Sequence, residues 1–187
     1  MENESRASMV RSAASKISEH GVNATSFTDV LADSGAPRGS IYHYFPEGKR
    51  QLTEEAMNLT AERVVAYLTS GAGTTALEVL DHFVSIWRVV VVSSAGARGC
   101  AIAGVVVDAD ASTATYLRSA RDIFRSWSAL LADQLRAVGI ESARANALSV
   151  TALAAMEGAL ILCRTEGDVG PLDLVAEQLR TLVRGND

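Results

Sequence analysis

Gly35-Ala36-Pro37-Arg38-Gly39-Ser40-Ile41-Tyr42-His43-Tyr44-Phe45 is the stretch whose reading decides the fold. Gly35 suits the left-handed backbone of a tight turn between helices. Pro37 is read as the first residue of the helix that follows, where a missing N–H costs nothing. Ile41 and Phe45 are four residues apart, so they share one helical face and are expected to bury together. The remaining side presents Arg38, Gly39, Ser40, Tyr42 and His43. A guanidinium fork, a gap, a hydroxyl, a phenol and an imidazole suit phosphate oxygens and base edges.

The residues just upstream predict a second short helix. Ser26 is a good N-cap, and Asp29, three residues on, supports the start. Phe27, Val30 and Leu31 supply its apolar face. Two short helices joined by a glycine turn form the bihelical layout that enters the DNA major groove. Thr25-Ser26-Phe27-Thr28-Asp29-Val30-Leu31-Ala32-Asp33-Ser34-Gly35, taken with Gly39 to Phe45, resembles the TetR family of transcriptional regulators, and within it the LmrA/YxaF-like group. The strong likeness covers residues 8–58.

Composition bounds the rest. A chain of 187 residues is long enough for a sizeable core and a small second module. It is 48% hydrophobic and only 5% aromatic, which favours helices rich in Ala, Leu and Val. No apolar run is read as reaching the roughly 18 residues of a membrane span, and the polar start, Met1 to Ser8, gives no sign of a signal peptide. A cytoplasmic protein is expected. Cys100 and Cys163 form no CxxC spacing and read as two reduced thiols. The formal net charge is −5, and up to residue 50 the cations Arg6, Arg11, Lys16, Arg38, Lys49 and Arg50 are balanced by carboxylates. That balance excludes a non-specific DNA binder and leaves room for a sequence-specific one.

The chain reads as all-α, with about nine helices. Met9, Val10, Ala13, Ala14 and Ile17 give a first helix over residues ~5–20, closed by Gly21. Pro46 stops the second helix of the bihelical motif, and Gly48 caps a long helix from Lys49 to about Ser70. Lys49 sits at the opening of that helix, where free N–H groups attract anions. Thr74 or Thr75 caps the next helix, in which Leu77, Leu80, Phe83, Val84, Trp87, Val90 and Val91 keep a helical period. Val89 to Val92 is β-branched, yet the period runs into it unbroken, so helix is preferred over strand. Cys100 to Val107 is read as a short helix walling a cavity, and Asp108 and Asp110 as capping residues rather than metal ligands. Long helices follow over Thr113–Val138 and residues ~142–165, then a last one from Pro171 to about Arg184. Arg118, Arg121 and Arg125 with Asp122 read as a solvated face.

The resemblance implies a helix-turn-helix domain at 1–48 and a ligand-binding and dimerisation domain at 49–187. Arg38 and Ser40 would read base edges, Gly39 would let the backbone approach, and Ser26, Thr28, Tyr42, His43 and Lys49 would hold phosphates. Tyr44 stays open between contact and packing. Phe83, Trp87, Cys100, Phe124, Trp127 and Met156 are the candidate lining of a mostly apolar pocket. In this family the last two long helices pair with their symmetry mates, which points to Ala152, Ala155, Ala159, Leu162, Leu174 and Leu179. A homodimer on a pseudo-palindromic operator, with heads about 34–36 Å apart, follows from two-fold symmetry. No catalytic constellation, cofactor or metal set is present: the three histidines, His20, His43 and His82, lie in no known catalytic spacing. The expected function is a repressor released from DNA by a hydrophobic or amphipathic small molecule. Two alternatives are a thiol-based redox sensor using Cys100 or Cys163 and a ligand-binding protein that has lost DNA binding.

Overall fold

The computed structural model describes residues 2–37, 39–71, 73–109 and 114–185. Among these, every regular element is a helix: α1 (Glu2–Ala24), α2 (Phe27–Ser34), α3 (Ile41–Tyr44), α4 (Lys49–Ser70), α5 (Ala76–Ser94), α6 (Ala101–Asp108), α7 (Ala114–Ala137), α8 (Ser142–Glu166) and α9 (Gly170–Arg184). They fall into two compact units. One holds residues up to Glu62 together with Cys100–Arg121; the other holds Arg63–Gly99 and the chain from Asp122 onward. The domain boundary expected at 48/49 lies inside the first of these.

In the first unit α1 is the platform. Met9, Ala13 and Ile17, the stripe read from the sequence, are buried, as are Val30, Ile41 and Phe45 of the bihelical segment and Leu52 and Ala56 of α4; Ala13, Ile17, Val30 and Leu52 line one small cavity. Gly21 breaks α1 internally with φ 80 and ψ 171, and the chain then runs on to Ala24. α6 packs along α1 at very short range. A Cβ on Gly104 would stand 3.0 Å from the Ile17 carbonyl oxygen, so a side chain there would press the two helices apart by a few tenths of an ångström. The C-terminal end of α6 is tied to α1 by Asp108, whose carboxylate accepts from the Asn23 backbone N–H at 2.9 Å, while the Asn23 amide donates to the Asp108 carbonyl at 3.2 Å. Asp108 therefore clasps α1 rather than capping its own helix, and Asp110 lies outside the described residues.

In the second unit α5, α8 and α9 pack around Val79, Phe83, Trp87, Met156, Leu160, Leu172 and Ala176, all buried. α5 starts on a reciprocal capping box: Thr75 accepts from the Glu78 N–H, and Glu78 accepts from the Thr75 N–H. The β-branched run Val89 to Val92 stays helical, as the period requires. α5 is also held to α9 by ion pairs, Arg88 with Asp173 (3.0 Å) and Arg180 with Asp81 (2.7 Å). α8 departs from the sequence expectation. Over its 25 residues it is apolar and long enough, by length and composition, to cross a membrane. Its inner stripe is packed on its own unit: Ala145, Ala152, Met156, Ala159, Leu160 and Cys163 are buried.

Candidate nucleic-acid interface

The helix-turn-helix is built from caps and one turn. Ser26 sits in extended geometry before α2; its hydroxyl oxygen accepts from the Asp29 N–H (3.1 Å) and donates to the Asp29 carboxylate (2.6 Å). Asp29 in turn accepts from the Ser26 N–H at 3.1 Å. These bonds hold the Asp29 carboxyl below the usual carboxylate range. Gly35 closes α2 in the left-handed conformation, φ 68, and its N–H donates to the Leu31 carbonyl at 3.1 Å. Only then does the chain turn toward α3.

α3 is shorter than the sequence suggests. Pro37 is not its first residue. The Pro37 carbonyl instead closes a turn, accepting from the Ser40 N–H at 2.9 Å and from the Ser40 hydroxyl at 2.6 Å. The helix proper is Ile41–Tyr44, with Ile41 and Phe45 buried as their spacing requires. Opposite them the reading side is open. Tyr42 is 69% exposed, and its ring stands edge-on to Phe27 of α2 at 5.6 Å. His43 is exposed and stands edge-on to Tyr44 at 5.1 Å. Tyr44 is half-buried. Gly39 is exposed, and a Cβ there would meet nothing within 4 Å. Thr28 is exposed in the first turn of α2. With Phe27, Leu31, Ala32, Ala36, Ile41 and Tyr42 it lines an open groove along the two helices. Arg38 lies outside the described residues.

Three predicted contacts are already engaged within the protein. The Ser26 hydroxyl serves the cap, and the Ser40 hydroxyl serves the turn. Lys49 opens α4 as expected, but its ammonium donates to the Asn23 carbonyl at 3.3 Å. Partial burial pulls its pKa down, with Asp108 opposing. Several cations of the head are also paired. Arg6 meets Glu55 at 2.6 Å and lies over the Phe45 ring; Lys16 meets Glu19 and Asp33; Arg50 meets Glu47 and Glu54. The Arg6–Glu55 and Lys16–Asp33 pairs cross between helices, so the sequence alone does not reveal them, whereas Lys16–Glu19, Arg50–Glu47 and Arg50–Glu54 are local pairs at helical spacing.

The candidate pocket residues divide. Phe83, Trp87, Trp127 and Phe124 form one chain of edge-on rings, with centroids 6.2, 5.9 and 5.6 Å apart. Met156 is fully buried in the same unit. Cys100 belongs to the other unit, where it is the N-cap of α6. The candidate interface residues divide too. Ala152, Ala159 and Leu179 are 2%, 1% and 3% exposed, packed inside their own protomer, and Ala155 is half-buried. These four therefore offer little or nothing to a second copy. Leu162 and Leu174 do face outward, 49% and 73% exposed. Val150, Ile161 and Leu182 are exposed on α8 and α9 as well, outside that candidate set.

A capped α2, a glycine turn and a short α3 with exposed aromatic and hydroxyl groups define a helix-turn-helix DNA-binding protein. The chain belongs to the TetR family of transcriptional regulators, in its LmrA/YxaF-like group. The model for bacterial regulatory proteins of the tetR family matches residues 10–56, and that for the LmrA/YxaF-like C-terminal domain matches 76–178. The chain is 43% identical over 183 residues to an HTH-type transcriptional regulator of Mycobacterium tuberculosis, covering 95% of this chain and 93% of that one. It is 30% identical to the regulator YxaF of Bacillus subtilis, covering 97% and 96%. Among solved structures, a TetR regulator from Legionella pneumophila superposes with a TM-score of 0.83 at 22% identity, covering 92% and 93% of the two chains. One from Agrobacterium tumefaciens gives 0.84 at 19%, covering 96% and 97%. These two establish the same fold.

Proposed function

We propose that this protein is a homodimeric cytoplasmic repressor that binds a pseudo-palindromic operator and is released by a largely apolar small molecule. The observation that carries the DNA half is the open side of α3: Tyr42, braced on Phe27, beside exposed His43, Gly39 and Thr28. In this reading Arg38 reads a base, worth about 1–3 kcal/mol of discrimination. Tyr42, His43, Thr28 and the α2 N-terminus hold phosphates. Lys49 joins them by exchanging the Asn23 carbonyl for a phosphate oxygen, a stronger charge-assisted bond. Ser26 and Ser40 act by shaping the two helices.

The dimer half rests on the outward stripe of α8 and α9. Val150, Ile161, Leu162, Leu174 and Leu182 are 49–73% exposed, and Ala147, Ala154 and Gly158 between them are exposed as well. A second copy covers such a face by two-fold symmetry, as the operator demands. The ligand half rests on the aromatic cluster of the second unit. A small molecule can shift the equilibrium only by its differential affinity for the DNA-competent and incompetent states. The thiol alternative is disfavoured at Cys163, whose side chain is fully buried and whose pKa burial pushes up, away from the reactive thiolate.

The test is fluorescence anisotropy on DNA from the protein's own upstream region, against random DNA at the same salt. Site-specific binding with dimer stoichiometry is expected. Arg38→Ala should weaken the specific site far more than random DNA. Equal losses on both would refute the base-reading role.

A further inference from the structure

The aromatic cluster contains two polar atoms that its packing leaves unused. Trp87 on α5 is 3% exposed and Trp127 on α7 is fully buried. Their rings are in edge contact at 5.9 Å. For neither indole Nε1–H does any acceptor among the described residues come within hydrogen-bond reach. A buried donor without a partner forfeits its bond to water, so native structures satisfy nearly all such groups. Here two occur side by side, on the only two tryptophans of the chain. Phe83 and Phe124 extend the same cluster at either end. An apolar core built for stability alone would place Phe or Leu at these positions at no polar cost.

We infer that Trp87 and Trp127 are the polar handles of the ligand site, donating from Nε1 to carbonyl-type oxygens of a flat, largely apolar molecule. This rests on the small-molecule reading above and narrows it to a chemical class. Indole donates only, so the ligand must supply acceptors. A neutral ketone, lactone or quinone-type oxygen fits better than a carboxylate. The one cation–ring contact among the described residues is Arg6 on Phe45, outside this cluster, and a buried anion needs a partner charge. The aromatic rings account for the flat apolar remainder, through edge-on and stacked contacts. Because both indoles are covered, the ligand enters by displacing packed side chains, and association is slower than diffusion.

The test uses 9-fluorenone and fluorene, which share one skeleton and differ in a single carbonyl. Binding is measured on the full-length protein by calorimetry and followed by the two indole N–H cross-peaks in a ¹⁵N–¹H spectrum. With only two tryptophans, no variant is needed to recognise the pair. The expected result is binding of fluorenone about tenfold tighter than fluorene, with at least one indole N–H moving downfield for fluorenone only. Trp87→Phe and Trp127→Phe, which keep an aromatic ring and remove the donor, should between them abolish that preference. Equal affinity for the two probes, with the indole signals unmoved, overturns the donor assignment and leaves the pocket standing. Indole signals already at hydrogen-bonded positions in the free protein, and unchanged by fluorenone, overturn it as well. Failure of both probes to bind overturns the small-molecule reading of this cluster and the inference with it.

Discussion

Replacing Gly21 by alanine probes the joint between α1 and α6 directly. Gly21 holds φ 80 and ψ 171, a region of backbone space open essentially to glycine alone. Forcing alanine into it costs about 1–3 kcal/mol. The new Cβ would also stand inside the Asp108 carboxylate, 3.0 Å from its Cγ. Asp108 must then swing away and release the Asn23 N–H, at about 1 kcal/mol for this exposed bond. Alanine recovers roughly 0.4–1 kcal/mol by restricting the unfolded chain. The net loss is about 2 kcal/mol, or about 4–8 °C in Tm for a chain of this size. Thermal unfolding followed by circular dichroism measures it. The sharper assay is a double-mutant cycle with Asp108→Ala. Once the carboxylate is gone, Gly21→Ala should cost only its backbone strain, so the double variant falls short of the summed losses by about 1 kcal/mol. Strict additivity, or a loss below about 0.5 kcal/mol for Gly21→Ala alone, would refute the reasoning.

Ser26→Ala removes the α2 cap and should cost about 1 kcal/mol in urea unfolding, while weakening operator binding through a frayed α2. Asp29, Glu78 and Glu141 are all held below the usual carboxylate range by cap hydrogen bonds. Their folded values lie below the unfolded ones, so their stabilisation is complete above about pH 5 and is lost as pH falls through the lowered values. Acid unfolding of Asp29→Asn should accordingly be less steep than that of the parent. Leu174→Glu, or Leu162→Glu, should convert a dimer into monomer in sedimentation experiments without lowering the Tm of the protomer, since both side chains are exposed in it; a dimer that survives both changes would place the interface elsewhere. For the dimer on its operator, the slope of log K against log salt should be shallow, about −2, from the two Lys49–phosphate contacts of two heads.

Local chemistry was the most legible level. The Ser26 cap with Asp29 three residues on forms as read, and of the two caps the sequence leaves open, Thr74 and Thr75, it is Thr75 that caps α5, with Glu78 completing the box. The ends at Gly21 and Gly35 follow from the backbone those residues alone adopt without strain. The start of α3 was misread because Pro37 satisfies two templates, the first turn of a helix and a corner before one. Three of the candidate interface residues, Ala152, Ala159 and Leu179, are buried in the protomer for a different reason. α8 carries two apolar stripes, Ala152-Met156-Ala159-Cys163 and Val150-Ala154-Gly158-Ile161, of the same period and similar bulk. A period identifies a stripe but cannot choose between two. The packing of α9 and α5 decides, burying the first and leaving the second outside.

The near-neutral reading head, which weighs against DNA binding when charges are only counted, follows from how those charges are spent. Arg6 joins α1 to α4 through Glu55 and Lys16 joins α1 to α2 through Asp33, while Arg50 pairs locally with Glu47 and Glu54. Such exposed pairs add little stability each, but they remove cations that would otherwise grip any phosphate backbone. Non-specific affinity scales with the number of phosphates neutralised, while discrimination comes from base contacts. A head that ties its cations into its own scaffold therefore lowers affinity for random DNA while leaving the exposed Tyr42 and the α2 N-terminus for the contacts proposed above. Lys49 is the intermediate case. Its ammonium rests on the Asn23 carbonyl, and Asn23 is the residue that Asp108 of α6 clasps. The cation that opens α4 and the end of α6 thus share one short segment of α1. A shift of α6 that frees or drags Asn23 changes where Lys49 points, which gives this unit a direct route from the position of α6 to the ammonium at the start of α4.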